Sequence, residues 1–305
     1  MFINPKTDFA FKKIFGSKHS HDILISFLNG ILYQGKATIV SLIILDPYQA
    51  PRIKGMKDSF LDIKATLSSG QTVIIEMQVL NILGFEKRVL YNAAKAYSTQ
   101  LSIGDDYTLL NPIIALTITD FEMFSNSLKV ISSYALREKE EFTTYSDDIE
   151  LVFVELPKFT KTVDELETLS DKWIYFLRYA NELKAVPASM GTEAAIGHAF
   201  EVAQQSRLTR REMEIVEKRQ MVLHDNRNAL LYAKQEGKKE GKLEGKKEGK
   251  LEGKKEGKLE GKKEGKLEAK LEIARQLLDV LDVETIAQKT GLSLAEIEAL
   301  RSQVD

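Results

Sequence analysis

The chain predicts an α/β core carrying a helical extension. Three patterns lead there. Apolar residues keep a helical period near the start, strand-like and helical stretches alternate between about residues 38 and 156, and helical sequence dominates from residue 161 onward. With 305 residues, 43% of them hydrophobic, there is material for one sizeable core plus an appendage.

Residues 7–33 read as helix, capped by Thr7 or Asp8, with Phe11, Ile14, Phe15, Ile23, Phe27, Leu28 and Ile31 on the apolar side. Gly16 and the polar "SKHSH" interrupt that period. "TIVSLIILD", 38–46, is rich in β-branched residues and reads as a strand. A hairpin follows at 60–80, then a helix at 84–101 and a buried strand at 111–121. "LKVISSYAL" and "IELVFVEL" extend the sheet, and residues 161–183 and 192–234 are helical. The expected organisation is a core over 1–190, a helical extension over 191–235, a low-complexity spacer over 236–268 and a small tail over 269–305.

The spacer alternates EGKK with EGKL. Its eight glycines each cost a helix about 0.8–1 kcal/mol against alanine. Glu follows Glu at i+4, which repels, and Leu recurs every eight residues, which builds no coiled-coil seam. A basic rod for nucleic acid is one reading, since Lys exceeds Glu; a solvated, marginal helix acting as spacer is the preferred one. The tail has helix–turn–helix cadence, with Gly291 at the turn and Ser293 and Glu296 forming a capping box. Its second helix opens with Leu294, Ala295 and Glu296, which suit neither phosphates nor base edges. Self-association through its apolar set (Leu271, Ile273, Leu277, Leu278, Leu281, Ile286, Ala287, Leu292, Ile297 and Leu300) is the expectation for so short a segment.

The net charge of −2 selects no partner class. Without cysteine, thiol nucleophiles, disulfides and iron–sulfur clusters are excluded, and a reducing cytoplasm is expected. No signal-peptide pattern or membrane-length apolar run is seen. The four histidines are scattered, so any metal would be a hard cation on oxygen ligands; no organic cofactor is implied.

The hairpin "FLDIKATLSSGQTVIIEMQVL" carries the candidate chemistry. Ser68-Ser69-Gly70 makes a three-residue loop with Gly70 in a left-handed conformation. Leu67 then faces Gln71, and counting back sets Asp62 opposite Glu76. Glu76 and Gln78 share a face with Asp62 and Lys64, while Leu61, Ile63, Ala65, Leu67, Val73, Ile75, Met77 and Val79 form the core side. Opposed acids destabilise a strand pair unless neutralised. Either Mg²⁺ does so, with Gln78 orienting water or phosphate, or Lys64 forms a surface cluster with both acids. Arg88, Tyr91, Asn92 and Lys95 form one stripe on the following helix, either over the site to hold phosphates or in solvent.

"LDIKATLSSGQTVIIEMQ" resembles the core motif of the PD-(D/E)XK nuclease superfamily, an Asp, a turn, then Glu-x-Lys. The form Asp…Glu-x-Gln is similar to the recombination-promoting nuclease (Rpn) branch, whose members also carry the label transposase. "TDFAFKKIFG", "GFEKRVLYNAAKAYSTQLSIGDDY", "DKWIYFL" and the Glu-Gly repeats before a short helical tail resemble that branch in the same order. The resemblance implies a restriction-endonuclease-like core, a mixed sheet flanked by helices, and a metal-dependent DNA endonuclease using Mg²⁺ or Mn²⁺. It makes Asp62, Glu76 and Gln78 candidate catalytic residues, with Asp62, Glu76 and Asp8 holding metal. Asp8 as a plain helix cap is the competing role. Gln78 stands where the superfamily has Lys, and its amide carries no positive charge; Lys64, Lys12 or Arg88 would compensate. Lys12, Lys64, Arg88, Tyr91 and Lys95 are candidate phosphate contacts, and DNA and a second copy of the chain are the expected partners. A catalytically weak DNA-binding or assembly protein is the alternative, and such a protein does not need both acids.

Overall fold

The computed structural model describes residues 1–49 and 59–302. The chain forms two compact units, Met1–Arg227 and Asn228–Asp305.

The first unit opens with α1 (Asp8–Phe15) and α2 (His21–Tyr33), separated at Gly16 and the polar stretch as their composition predicts. Six strands form one mixed sheet. They are β1 (Leu42–Leu45), β4 (Ile63–Leu67), β5 (Thr72–Gln78), β6 (Ile113–Thr119), β7 (Ile131–Arg137) and β8 (Thr144–Glu155), in the order β1-β4-β5-β6-β8-β7. A separate ribbon pairs β2 (Tyr48–Gln49) with β3 (Ser59–Phe60), and the sequence pattern did not anticipate it. β5, β6 and β8 run parallel, so the connection from β5 to β6 must cross over; α3 (Phe85–Ser98) makes that crossing. β6 is buried along its whole length, as a central parallel strand should be.

The hairpin register agrees with the turn-based count. Ile63 pairs with Ile75, Ala65 with Val73 and Thr66 with Thr72. The Leu67 N–H donates to Gln71 O at 2.8 Å, and Gly70 has φ +89°. Ile63, Ala65, Leu67, Val73, Ile75 and Met77 join the main core with α1 and α2, and with α4 (Leu169–Tyr179) and α6 (Ala194–Ala203), which the four-residue α5 (Ala188–Gly191) precedes. The other face, which bears Glu76, meets α3: Ile74 packs with Ala93 and Ala96.

Boundaries move in three places, one of them a break over 204–209 that divides the helix expected at 192–234 into α6 and a helix starting at Arg210. The strand expected from 38 begins only at Leu42, because the buried Asn29 amide takes both backbone groups of Ile39, donating to its carbonyl at 2.9 Å and accepting from its N–H at 2.8 Å. Those groups are then lost to a ladder. The helix expected from 161 starts at Leu169, where Thr168 and Asp171 close a capping box.

Helix α7 (Arg210–Leu277) contains the whole Glu-Gly-Lys repeat. Leu243, Leu251, Leu259 and Leu267 are exposed and no neighbour stands where a Cβ on any repeat glycine would be, which is how a solvated helix looks. The tail continues with α8 (Val283–Thr290) and α9 (Leu294–Arg301); residues 303–305 lie outside the described residues. Gly291 ends α8 at φ +67°, and Ser293 and Glu296 form the expected box. Most of the tail's apolar set packs within the tail: Ala274, Ile286, Leu292, Ile297 and Leu300 are buried, with Leu271, Leu277, Leu278 and Ala287 against them. Of the residues expected to pair chains, Ile273 and Leu281 stay exposed. No described helix is long and apolar enough to cross a membrane.

Candidate active site

The site is built from the hairpin upward. The register sets Asp62 across from Glu76, where β4 begins and β5 nears its end. The Asp62 and Glu76 side chains are each only 14% exposed. Asp62 Oδ2 accepts from the Met77 N–H at 2.7 Å, which fixes the carboxylate against the partner strand. Its Oδ1 lies 3.3 Å from Lys12 Nζ. Arg88, brought over the sheet by α3, donates from Nη2 to Glu76 Oε1 at 2.5 Å and to Gln78 Oε1 at 2.8 Å. Each acid therefore has a cation, supplied by α1 and α3; Lys64 makes no ion pair with either.

Burial raises the Asp62 carboxyl; the Met77 N–H and Lys12 oppose that, and Asp8 adds to it. Burial also raises Glu76, with Arg88 opposing and Asp62 adding. Lys12 is pulled down by burial, but Asp8 and Asp62 outweigh this and its ammonium ends above the usual value. Two carboxyls held up chiefly by burial, each with one neighbouring acid adding to it, favour added positive charge.

Among the described residues no three His, Asp or Glu side chains gather closely enough to hold a metal by themselves. The opposed pair suits an ion of the Mg²⁺ type, which commonly takes one or two carboxylates and keeps its water. Asp8 does not complete a ready-made triad. It is 43% exposed, 2.5 Å from Lys12 and 3.7 Å from Arg219. It does not cap α1 either: Thr7 holds that position, with no side-chain cap bond.

Of the α3 stripe, Arg88 reaches Glu76 and Tyr91 lines the cleft beside it. Asn92 is buried next to Glu76, where its side chain helps hold the carboxylate charged. Lys95 turns away from phosphate recognition; it is 6% exposed and donates to Gln49 O at 2.8 Å. Gln78 donates its own amide to Leu80 O at 2.7 Å.

Sequence reasoning missed the contribution of α7. Arg219 borders a cleft of about 280 Å³ with Asp8, Gln78 and Lys6, and Arg227 pairs with Asp120 at 2.6 Å. Nothing in the local pattern separates Arg219 from the other cations of that helix.

The sequence profile of the PD-(D/E)XK nuclease family transposases matches residues 5–233. The chain belongs to this family. The matched span holds the hairpin, α3 and the first part of α7, and so every residue described at the site. The six-stranded mixed sheet flanked by helices is consistent with a PD-(D/E)XK-like core, and membership supports a nuclease-like or transposase function. No curated protein and no solved structure gives a significant match.

Proposed function

We propose that the chain is a divalent-cation-dependent DNA endonuclease of the Rpn type, hydrolysing phosphodiester bonds at Asp62 and Glu76. The buried, opposed acids carry this reading: a sheet gains nothing from placing them together, whereas the Asp…Glu-x-Gln resemblance to the PD-(D/E)XK motif gives them a use as metal ligands. Asp62 and Glu76 hold the ion, with Mg²⁺ expected and Mn²⁺ as substitute. When bound, that ion supplies a Lewis acid for the charge developing on phosphate and makes water a stronger nucleophile at neutral pH.

The Met77 N–H keeps Asp62 aimed, and Asn92 supports Glu76. Lys12 and Arg88, already beside the acids, are the cations placed to meet the phosphate oxygens of a bound strand. Gln78 acts through Arg88, which brings to this place the positive charge an amide lacks. Lys64 and Tyr91 flank the strand path, while Lys95 supports the fold. DNA is the substrate, cut in the setting of recombination or transposition within a reducing cytoplasm. Self-association through the tail would set two cores on one duplex.

The test is plasmid nicking in Mg²⁺, Mn²⁺ or EDTA, using wild type, Glu76→Ala and Asp62→Asn. Nicking in either metal, its loss in EDTA and its loss in both variants are expected. Full activity in both variants would sink the assignment to this site.

A further inference from the structure

Immediately after Gln78 the chain makes a tight turn, residues 80–84, whose tip is apolar and open to solvent. Leu83 is fully exposed and Ile82 is 42% exposed. This turn is held from both ends. Gln78 Nε2 donates to Leu80 O at 2.7 Å, the Phe85 N–H returns to Ile82 O at 3.1 Å, and Gly84 takes φ +81°. Phe85 is buried against Phe121, with ring centroids 5.8 Å apart, and Arg88 lies 5.0 Å over its ring. Two large apolar side chains thus project side by side from a braced support.

The turn divides two clefts. One, of about 570 Å³, runs beside Glu76 and is bordered by Phe60, Ile82, Leu83, Arg88 and Tyr91. The other, of about 280 Å³, holds Gln78, and Ile82 borders it as well. Both carry cations: Lys87 and Arg88 on the first, Lys6 and Arg219 on the second. Phe60 is 71% exposed and backed by Tyr48, with ring centroids 4.9 Å apart. An apolar tip between two clefts that each carry two cations and one acid, with exposed aromatic faces in the one next to Glu76, matches the chemistry of a separated base step: phosphates on the cations, a base on the rings.

We propose that residues 80–84 form a wedge that parts a base step, and that the cleft of Phe60 and Tyr91 receives the unpaired base beside the cleaved phosphate. The substrate class is then DNA with an unpaired or weakly paired nucleotide at the cut. This rests on the nuclease reading for the cut itself, but not for the base binding.

The experiment uses the full chain and a duplex carrying 2-aminopurine, either fully paired or at a mismatch. Fluorescence is read in EDTA and cleavage in Mg²⁺, for wild type and the Ile82→Ser/Leu83→Ser double variant, with far-ultraviolet circular dichroism as the fold check. Wild type should raise the fluorescence on binding and cleave the mismatched duplex faster. The variant should lose the fluorescence rise and at least about fivefold of the preference, the equivalent of roughly 1 kcal/mol of base stacking. Its affinity for duplex, dominated by phosphate contacts, should be retained. A wild type that binds without a fluorescence rise, or a folded variant that keeps it, overturns the wedge. A rise without metal-dependent cleavage upholds the wedge and refutes the nuclease reading, whereas cleavage without a rise does the reverse. Absence of DNA binding overturns both.

Discussion

Asp62 has two duties that substitution can separate. Its carboxylate is one of the opposed acids, and its Oδ2 also accepts the Met77 N–H. Simple relief of like-charge repulsion would make any neutral replacement stabilising. The hydrogen bond changes that expectation. Asp62→Asn keeps an acceptor and removes a buried charge, so it should unfold at the same denaturant concentration as wild type or a higher one. Asp62→Ala leaves the Met77 N–H without its partner and should be about 1–3 kcal/mol less stable than the Asn variant. Both should lose nicking. Equal stability of the two variants in urea titrations would remove the positioning role of that bond.

At its start α7 is fastened to α1 through Glu212, which accepts from Lys13 at 2.5 Å and closes on Thr209 at the helix start. Lys13 and the Thr209 N–H hold the Glu212 carboxyl at about 2, against the usual 4.5. The folded state therefore binds this proton more weakly than the unfolded state. The stabilisation is complete above pH 4.5, and is lost progressively as pH falls towards about 2. Glu212→Gln should be less stable than wild type at pH 7, and the gap should close in that acid window; a gap independent of pH would refute the clasp. Further along the same helix the repeat glycines have open space where a Cβ would go. Gly249→Ala and Gly253→Ala should each favour the helix by about 0.8–1 kcal/mol. Circular dichroism should show higher helicity at raised temperature, with nicking unchanged. A loss of nicking in the folded protein would give the repeat a part in placing DNA.

The molecule as a whole has two units with separate cores, one built on the mixed sheet and one within the tail. A tail that packs on itself has less apolar surface to offer a second copy. What it does offer is Ile273, Val280, Leu281 and Leu294, all exposed. If copies associate through the tail, Leu281→Glu with Leu294→Glu should lower the mass seen by light scattering and turn double-strand breaks into nicks. The helical signal should survive, because neither side chain belongs to the tail's buried set. A wild type that stays monomeric at high concentration, with and without DNA, would rule out this route to assembly.

Features set by near neighbours in the chain could be read without a structure. Ser68-Ser69-Gly70 dictates a turn, the turn dictates register, and register opposes Asp62 to Glu76. The Ser293–Glu296 box and the break at Gly16 are equally local. Period and turn chemistry act over a few residues, so they survive in any fold that contains them. The partners of the acids were not legible in this way. Lys64, on the same face and close in sequence, does not pair with them, whereas Lys12 and Arg88 do because α1 and α3 pack where they do. Lys95 shares a helical stripe with Arg88 yet is buried on Gln49, and Asn29 takes the backbone of Ile39 that β propensity assigns to a strand. Arg219 reaches Asp8 across more than two hundred residues of chain. Such pairings depend on sheet order and on which helix covers which face, and a side chain's type and spacing carry no record of either.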